Sequence, residues 1–513
     1  MPNLAEIIQR GEALGNSLKS KYFSPIQLQQ RTLRRLLKKS AETAFGQYYE
    51  FKNIALSEEP ARHFQQAVPI FDYNTMYEKW WHLSLNKVKN VAWKGKVRYF
   101  ALSSGTSGAP SKHIPVTKDM LRAMRRASTR ALFTLPRFGV SPDLFTKDML
   151  MLGGSTDLQT RGDYYVGDLS GINAKKLPSW FRPFYKPGAD IARIQDWNLR
   201  IEEIARRAPE WDIAFIAGIP SWVQLMMEKV VDYQQVSNIH EVWPHLSVFA
   251  HGGIHFEPYR HSFERLLARP LIYMDTYLAS EGFIAYQARP ETNAMKLLLN
   301  NGIFFEFIPF NDENFDSEGN IRSSARALLI DQVKTEQHYA LLLSTCSGSW
   351  RYLIGDTIKF TDLERSEIVI TGRTKHFLSI CGEHLSVDNM NAAIQQLEEQ
   401  LHIAIPEFAV IAVESGNYFA HHWFLGCHTL PDDASRVASL LDEALQQVND
   451  DYAVERRSTL RKPELTLLPV SCFYEWQSIN GKMGGQNKFP RVMRGDAAQA
   501  WLAFAQQQNR ASS

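Results

Sequence analysis

One segment constrains the fold of this chain more than any other, the run Ser-Ser-Gly-Thr-Ser-Gly-Ala-Pro-Ser-Lys at residues 103–112. It directly follows an apolar stretch at residues 97–102 whose composition is typical of a β-strand. Glycine frees backbone amides to face an anion, and hydroxyl groups and an ammonium complete a cradle for polyphosphate. The segment therefore indicates a phosphate-binding loop, with a flexible Ser/Gly/Thr surface turn as the alternative interpretation.

The spacing excludes a Walker A loop. That loop requires a glycine, four residues and then Gly-Lys-Ser/Thr at the start of a helix. Here Lys112 is followed by an extended stretch, because Pro115 disfavours the helical conformation at Ile114. Thr117 is the predicted N-cap of the helix that comes next. The segment is thus predicted to join two strands in a hairpin, as phosphate-binding hairpins do in adenylate-forming enzymes.

The length and composition are typical of a soluble globular protein with more than one domain. The chain has 513 residues, 44% of them hydrophobic and 22% charged, which is too long for one compact core. A formal net charge of +2 gives no general attraction to nucleic acid or membranes. The four cysteines are widely spaced, and no apolar run reaches the roughly 18–20 residues that span a bilayer. We expect a cytoplasmic protein without nucleic-acid partners or stable membrane association.

Strand-like and helical segments alternate from about residue 97 onward, which predicts an α/β fold with helices on the faces of a sheet. The predicted strands of this part are residues 97–102, 148–152, 213–217, 247–250 and 271–274. Glycine pairs follow two of them, at 153–154 and 252–253, where ligand loops of such sheets occur. After about residue 295 the pattern becomes strand-rich, and antiparallel strands are expected at 304–309, 339–344 and 358–360.

A second, smaller α+β unit is predicted from residue 372 onward. Its expected helices are 387–401 and 433–449, and its expected strands are 377–380, 408–413, 423–427 and 465–473. The fold class is therefore α/β, with a large N-terminal domain (1–371) that includes a β-barrel-like portion. A small, mobile α+β C-terminal domain (372–513) completes it. Such a pair suits an enzyme that carries out two half-reactions at one site.

Three further segments carry side chains suited to nucleotide chemistry. In Tyr-Leu-Ala-Ser-Glu at 277–281 an aromatic ring can stack on a base, Ser280 can meet a phosphate and Glu281 can hold magnesium. In Arg-Tyr-Leu-Ile-Gly-Asp at 351–356 a carboxylate is placed to accept ribose hydroxyls. In Gly-Gln-Asn-Lys-Phe-Pro-Arg at 485–491 a lysine can swing into an active site. Taken singly, these segments are also typical of a capped helix start, a Gly-Asp hairpin turn and an exposed basic loop.

In order and spacing, the four segments resemble those of adenylate-forming enzymes of the firefly-luciferase-like superfamily, and specifically the auxin-responsive acyl-acid amido synthetases of plants and bacteria. In that family a Ser-Ser-Gly-Thr-Ser loop, a Tyr-x-x-Ser-Glu segment, a Tyr-x-x-Gly-Asp segment and a late Lys-x-Pro-Arg segment recur in this order. They stand here at 103–107, 277–281, 352–356 and 488–491. Phe-Glu-Phe-Ile-Pro at 305–309 and Gly-Arg-Thr-Lys at 372–375 are similar too, so the resemblance covers nearly the whole chain.

The resemblance implies a ligase that works in two half-reactions with ATP and Mg²⁺. A carboxylic acid is adenylated to acyl-AMP with release of pyrophosphate, and the acyl group then passes to the amine of an amino acid with release of AMP. The alternatives are an acyl-CoA ligase, or an acyl-adenylate donor to another thiol or carrier protein. A non-catalytic nucleotide-binding protein is a third reading, which the intact motifs disfavour.

The resemblance also implies roles for individual residues. Lys488, Glu281 and Thr106 are expected to be catalytic, with Lys488 reaching the α-phosphate and Glu281 holding the metal. The expected ATP-binding residues are Ser103, Ser104, Gly105, Thr106, Ser107, Gly252, Gly253, Tyr277, Ser280, Asp356 and Arg373. Met124 and Arg125, on the helix after the hairpin, are the candidates for binding the acid. A packed amphipathic helix with a solvated arginine is the more usual explanation of such a pair.

Overall fold

A large central sheet and three smaller sheets organise the computed structural model. The structure describes residues 23–103, 112–179, 181–253, 256–316, 319–374, 377–378, 385–415, 418–449, 452–453, 456, 460–480 and 488–512. The strands of these residues are β1 (Tyr99–Ser103), β2 (Lys112–Val116), β3 (Asp148–Leu152), β4 (Gln159–Arg161), β5 (Tyr164–Gly167), β6 (Tyr185–Lys186), β7 (Ile213–Gly218), β8 (Val248–Gly252), β9 (Ile272–Ala279), β10 (Gly282–Gln287), β11 (Met295–Leu297), β12 (Ile303–Pro309), β13 (His338–Thr345), β14 (Tyr352–Asp362), β15 (Glu367–Arg373), β16 (Phe377–Leu378), β17 (Leu385–Ser386), β18 (Glu407–Ser415), β19 (Tyr418–Cys427), β20 (Glu464–Pro469) and β21 (Val492–Met493).

Helices pack around these sheets. The α-helices of the described residues are α1 (Pro25–Ser40), α2 (Ala44–Tyr48), α3 (Phe51–Leu56), α4 (Pro60–Ala67), α5 (Tyr73–Met76), α6 (His82–Leu85), α7 (Lys118–Leu132), α8 (Leu169–Lys175), α9 (Trp197–Arg207), α10 (Pro220–Gln234), α11 (Glu257–Glu264), α12 (Val387–Leu401), α13 (Ala434–Val448), α14 (Val470–Ile479) and α15 (Gly495–Ser512). Within this part of the chain, no helix combines the length and apolar character needed to cross a bilayer.

The strand pairing in the eleven-stranded central sheet changes from antiparallel to parallel about halfway across. Its order is β12-β13-β14-β15-β11-β10-β9-β8-β7-β3-β6. Strands β9, β8, β7, β3 and β6 pair in parallel, and the others pair antiparallel. The parallel half is the predicted α/β portion, and the antiparallel half is the predicted strand-rich portion. Because parallel strands end at one edge of a sheet, the residues that follow β8 and β7 lie side by side.

A four-stranded sheet of order β20-β19-β18-β21 forms the middle of the C-terminal unit. Alternate strand residues point to opposite faces. Phe408 and Val410 therefore pack with α12 and α13, whereas Ala409 and Ile411 pack with α14 and α15. The apolar clusters of this unit are separate from those around the central sheet. The predicted boundary at residue 372 stays a prediction; strand β15 runs to Arg373 inside the central sheet.

The mixed α/β fold class is confirmed, and so are most of the predicted elements. The helix predicted for 387–401 is α12, and the strands predicted for 148–152 and 304–309 are β3 and β12. One assignment was wrong. Residues 470–473, predicted to continue a strand from 465, form the first turn of α14. Buried residues there recur three and four positions apart, at Val470, Phe473 and Gln477, so a helix places them on one face better than a strand does.

A buried ion pair ties the N-terminal helices to the central sheet. Arg351, just before β14, contacts Glu306 of β12 with Nη2 3.0 Å from Oε1, and the two side chains are 8% and 1% exposed. The same guanidinium donates to the carbonyl oxygens of Gln65 (2.9 Å) and Val68 (2.7 Å), at the end of α4. The side-chain amide of Gln65 donates to Glu306 Oε1 at 3.0 Å. One arginine therefore connects the helical layer to two strands.

Replacing Arg351 with methionine should destabilise the protein strongly, because the Glu306 carboxylate then stays buried without a cation. The expected loss is about 3–5 kcal/mol in the free energy of unfolding, measured by urea denaturation followed by tryptophan fluorescence. Combining it with Glu306→Gln, which keeps the hydrogen bond from Gln65, should recover about half of that loss. Arg62→Met is the control, since the Arg62–Glu59 pair is exposed (66% and 62%) and should cost under about 1 kcal/mol. Equal losses in the two arginine variants would contradict this account.

Candidate active site

The hairpin predicted around the glycine- and serine-rich segment is present as two strands. Strands β1 and β2 pair antiparallel, with Ser103 opposite Lys112 at their open end. The connection from Ser104 to Ser111 lies outside the described residues, and with it the predicted phosphate ligands Ser104, Gly105, Thr106 and Ser107. The predicted N-cap is confirmed, because Thr117 Oγ1 accepts a hydrogen bond from the Met120 amide at 3.1 Å.

Two glycines at the end of β8 bring the backbone and a lysine close together. A Cβ at Gly252 would lie 2.2 Å from the carbonyl oxygen of Thr276 on the neighbouring strand β9. Gly253 has φ +90°, in the left-handed region, and a Cβ there would come within 3.1 Å of Lys488 Cε. The lysine predicted to reach the nucleotide therefore lies directly over Gly253, at the carboxyl edge of the parallel strands.

Asp356 is held by two side chains. The hydroxyl of Tyr277 donates to Asp356 Oδ2 at 2.5 Å, and Arg373 Nε lies 3.0 Å from Oδ1. Asp356 and Arg373 stand directly opposite each other on β14 and β15. Burial, followed by the charge of Asp356, raises the pKa of Tyr277 well above its usual value, so this hydroxyl stays protonated. The pair thus fixes the direction of the carboxylate that was predicted to bind ribose.

A bulge in β14 aims Asp356. The pairing of β14 with β13 shifts between Ala340 and Leu342, and Gly355 within the shifted stretch has φ +90°. The simpler interpretation of this segment as a Gly-Asp hairpin turn was wrong, because the residues lie inside a long strand. The helix start considered for residues 277–281 was wrong too. Ser280 and Glu281 form the tight turn between β9 and β10, which pair antiparallel.

Glu281 is a buried carboxylate at this turn, with 5% of its surface exposed. Burial is the largest influence on the Glu281 carboxyl and raises its pKa to about 7. The charge of Asp356 also raises this pKa, whereas the charges of Lys112 and Arg373 lower it. Lys112 also lies over the ring of Tyr73, with Nζ 5.5 Å from the ring centre. A carboxylate that lacks a close cation is a suitable ligand for a divalent ion.

The carboxylate oxygens of Glu281 are suitable ligands for Mg²⁺. This ion takes oxygen ligands and commonly binds through one or two carboxylates together with substrate phosphates. Among the described residues no group of three or more acidic, histidine or cysteine side chains is arranged around a common point. A single buried carboxylate near Lys112, the last residue of the predicted phosphate-binding segment, therefore matches the requirement of Mg²⁺ better than that of a metal held by protein ligands alone.

A cavity of about 370 Å³ opens next to Lys488 and the glycine pair. Lys488, Gly252, Gly253 and Thr276 line one end of it. Most of the remaining lining is apolar, and three charged side chains, Arg125, Lys176 and Arg200, also belong to it. The apolar members from α7, β3, β7, β8 and the turn after α7 include Leu121, Met124, Leu132, Leu135, Met149, Met151, Phe215 and Val248. Both candidates for acid binding, Met124 and Arg125, are in this wall. The cavity has the size and apolar character of a pocket for a small organic molecule.

Lys488 is exposed toward the cavity it lines. The surrounding protein nevertheless lowers its pKa to about 8, first through burial and then through the charge of Arg373, with Asp356 acting in the opposite direction. A lysine of this kind is a cation that bound anions would stabilise.

Sequence reasoning missed the contact that brings Lys488 to this position. Tyr259 on α11 donates a hydrogen bond to Glu407 Oε1 of β18 at 2.7 Å, and Arg491 Nη1 lies 2.7 Å from Glu407 Oε2. Arg491 follows Lys488 by three residues; Tyr259 and Glu407 are buried, and the Arg491 side chain is 13% exposed. Arg491 stands in the Lys-Phe-Pro-Arg segment, but its partners are 84 and 232 positions away, and no sequence signal links them.

Comparison with protein-family models matches three stretches of the chain. Residues 16–204 match the GH3 family N-terminal domain, residues 296–373 the GH3 family central domain, and residues 388–496 the GH3 family C-terminal domain. Together they cover more than half of the chain and contain the hairpin, Asp356, Arg373 and Lys488.

Two plant proteins are similar over parts of the chain. A probable indole-3-acetic acid-amido synthetase GH3.6 of Oryza sativa subsp. japonica is 32% identical over 102 residues, 19% of this chain and 20% of that protein. Indole-3-acetic acid-amido synthetase GH3.4 of Arabidopsis thaliana is 24% identical over 236 residues, 42% of this chain and 39% of that protein. The matched segments thus span less than half of either relative's own length.

Solved structures share the fold over nearly the whole chain. The AtGH3.15 acyl acid amido synthetase in complex with 2,4-DB has a TM-score of 0.78 at 16% identity, covering 99% of this chain and 97% of that chain. A 2-hydroxyisobutyryl-CoA ligase in the postadenylation state with 2-HIB-AMP has a TM-score of 0.55 at 14% identity, covering 94% and 91%. At these identities the likeness establishes the fold, which amido synthetases and CoA ligases have in common.

The buried position of Glu281 makes the stability of the nucleotide-free protein depend on pH. The pKa of Glu281 is about 7 in the folded protein, and its ordinary value of 4.5 applies to the unfolded chain. Below pH 4.5 the carboxyl is therefore mostly protonated in both the folded and the unfolded state. Between pH 4.5 and 7 the unfolded state releases the proton that the folded state retains, so stability falls as the pH rises. Glu281→Gln should remove this loss.

We therefore expect the advantage of Glu281→Gln over the wild type to grow by about 3 kcal/mol from pH 4.5 to 7.5, measured by urea denaturation at a series of pH values. The matched control is Glu202→Gln, because Glu202 is exposed on α9. Parallel curves for the wild type and Glu281→Gln would contradict the assignment.

Proposed function

The chain belongs to the GH3 family, and on that basis we propose that it is an ATP-dependent acyl acid amido synthetase. In the first half-reaction a carboxylic acid reacts with ATP to give an acyl-adenylate and pyrophosphate. In the second, the amine of an amino acid takes the acyl group and AMP leaves. The observation that carries the proposal is the position of Lys488, over Gly253 and at the mouth of the apolar cavity.

We propose that Lys488 promotes adenylation. A carboxylate oxygen of the acid attacks the α-phosphorus of ATP, and the bond to the pyrophosphate oxygen breaks. Negative charge then increases on the phosphate oxygens, which a fixed cation stabilises most strongly in a site shielded from water. Lys488 is a cation at the mouth of the cavity, and Gly252 and Gly253 present only backbone beside it, which leaves room for the nucleotide.

The remaining cluster suits the ribose and the metal. Asp356 accepts a hydrogen bond from Tyr277 on Oδ2 and forms an ion pair with Arg373 through Oδ1, and a carboxylate has about four acceptor sites. Two acceptor sites are therefore left for the two ribose hydroxyls. Glu281 would hold Mg²⁺, which when bound neutralises charge on the phosphates. Ser103, Ser104, Gly105, Thr106 and Ser107 remain the proposed phosphate ligands, and Ser280 a further one.

The acid is proposed to occupy the cavity of about 370 Å³, with its carboxylate toward Lys488 and its apolar body against Met124. Arg125 is exposed at the same wall and donates Nε–H to the carbonyl oxygen of Leu121 on its own helix at 3.3 Å. We expect the enzyme to act in the cytoplasm, where ATP is available. Three cysteines, Cys346, Cys427 and Cys472, are buried free thiols, which suits a reducing compartment.

Lys488→Ala should leave ATP binding within a few-fold of the wild type and reduce acid-dependent pyrophosphate release by roughly 100- to 1000-fold, as loss of a charge-stabilising group does. Nucleotide binding is measured by calorimetry, and pyrophosphate release by a coupled assay. Lys462→Ala is the control, since Lys462 is an exposed lysine of the same C-terminal unit, bonded to Ser439. Normal pyrophosphate release by Lys488→Ala would disprove the proposed role.

The acceptor distinguishes an amido synthetase from an acyl-CoA ligase. With an acid that supports pyrophosphate release, we expect mass spectrometry to detect an acyl-amino acid after addition of a mixture of amino acids. Coenzyme A added under the same conditions should give no thioester above the rate of the reaction without enzyme. A thioester in the absence of any amide would favour the CoA ligase alternative, which the shared fold also permits.

A further inference from the structure

The cavity contains a buried arginine, Arg200, that the proposed reaction does not use. It lies in the first turn of α9, after the N-cap Asp196, and 4% of its surface is exposed. It belongs to the cavity wall. Within the described residues its guanidinium makes no hydrogen bond or ion pair, and its buried Nε has no partner. An arginine stays charged in proteins, so burying a guanidinium without a partner costs free energy. A bound anion would offset that cost.

The surroundings of Arg200 support the charge without neutralising it. The guanidinium lies 5.1 Å from the centre of the Trp197 ring, a distance suited to a cation–π contact. Tyr185 and Asp168 are the titratable groups that interact with its charge, and in the described part of the chain Arg200 forms no ion pair or side-chain hydrogen bond with either. Burial raises the pKa of the Asp168 carboxyl, which favours its neutral form. A further acceptor can therefore bind the guanidinium.

Arg200 interacts with a residue of the edge strand of the central sheet, whereas Lys488 lies over a strand nearer the middle of that sheet. Its neighbour Tyr185 belongs to β6, the edge strand, whereas Lys488 lies over the end of β8. Strands β8, β7, β3 and β6 follow one another in the sheet, so three spacings of about 4.8 Å, or about 14 Å, separate the two strands beside which these cations lie. One elongated molecule can thus present one end to each cation.

We propose that Arg200 binds a second anionic oxygen group of the acid substrate, so that the preferred acids are elongated dicarboxylates or similar acids with an anion at both ends. One carboxylate is activated at Lys488, the other pairs with the guanidinium fork, and the apolar walls hold the body between them. A carboxylate matches that fork with two parallel hydrogen bonds. The inference rests on the proposed adenylation and names its substrate class.

The test compares matched acids that differ only at the far end. Acid-dependent pyrophosphate release is measured with octanoate against octanedioate, and with 3-phenylpropanoate against 3-(4-carboxyphenyl)propanoate. We expect the wild type to have a kcat/KM roughly 10- to 100-fold higher for the dicarboxylate of each pair, as one charged hydrogen-bonded contact provides. Arg200→Met, which keeps the length and removes the charge, should reverse the preference.

Ratios between two acids in one variant do not depend on how much of the protein is folded. Arg200→Lys should keep part of the preference, because it retains the charge and loses the fork. Arg206→Met is the control, an exposed arginine of the same helix paired with Glu203, and should behave as the wild type. A wild-type preference for the monocarboxylates, or an unchanged ratio in Arg200→Met, overturns the inference and leaves the proposed function intact. No pyrophosphate release with any of the four acids would overturn both.

Discussion

The carboxylate of Asp356 is the charge around which the site is arranged. It forms an ion pair with Arg373, which stands directly opposite on the neighbouring antiparallel strand. It also accepts a hydrogen bond from the hydroxyl of the buried Tyr277. Arg373 is the last residue of β15, so the pair stands where the chain leaves the central sheet for the C-terminal unit. The same two charges act in opposite directions on Lys488. One ion pair therefore connects the proposed ribose site, the exit of the sheet and the proposed catalytic lysine.

A second constraint comes from the contact between the two parts of the molecule. Glu407 and Arg491 form a buried pair in the C-terminal unit, and Tyr259 of the large part completes it. Burial raises the pKa of the Glu407 carboxyl, so its ionised form depends on Arg491 being in place. A buried pair of this kind contributes more to a single orientation than to overall stability. It holds the segment that carries Lys488 against Gly253, which has no side chain to prevent that approach.

The architecture was predictable where a local pattern and the tertiary environment agree. The alternation of apolar strands and helices predicted β3, β7 and β8, and the hydroxyl of Thr117 before a helical pattern predicted α7. The assignment failed for residues 470–473, where apolar residues are dense enough to suit either structure and the packing against Trp501 decided for a helix. It failed at Ser280 and Glu281 because capping residues and tight-turn residues are the same types.

The sequence alone determined the order of the motifs, and with it the family and the types of chemical group available for nucleotide chemistry. Those properties depend on residue identity and spacing along the chain. Only the tertiary structure decided which groups meet. The bulge at Gly355 directs Asp356 to Tyr277 and Arg373, and the glycine pair contacts Lys488 from more than 200 residues away. Arg200 lines the cavity, and its buried Nε has no partner among the described residues. These relations depend on strand register, burial and desolvation, which arise from contacts between distant residues and have no local pattern in the chain.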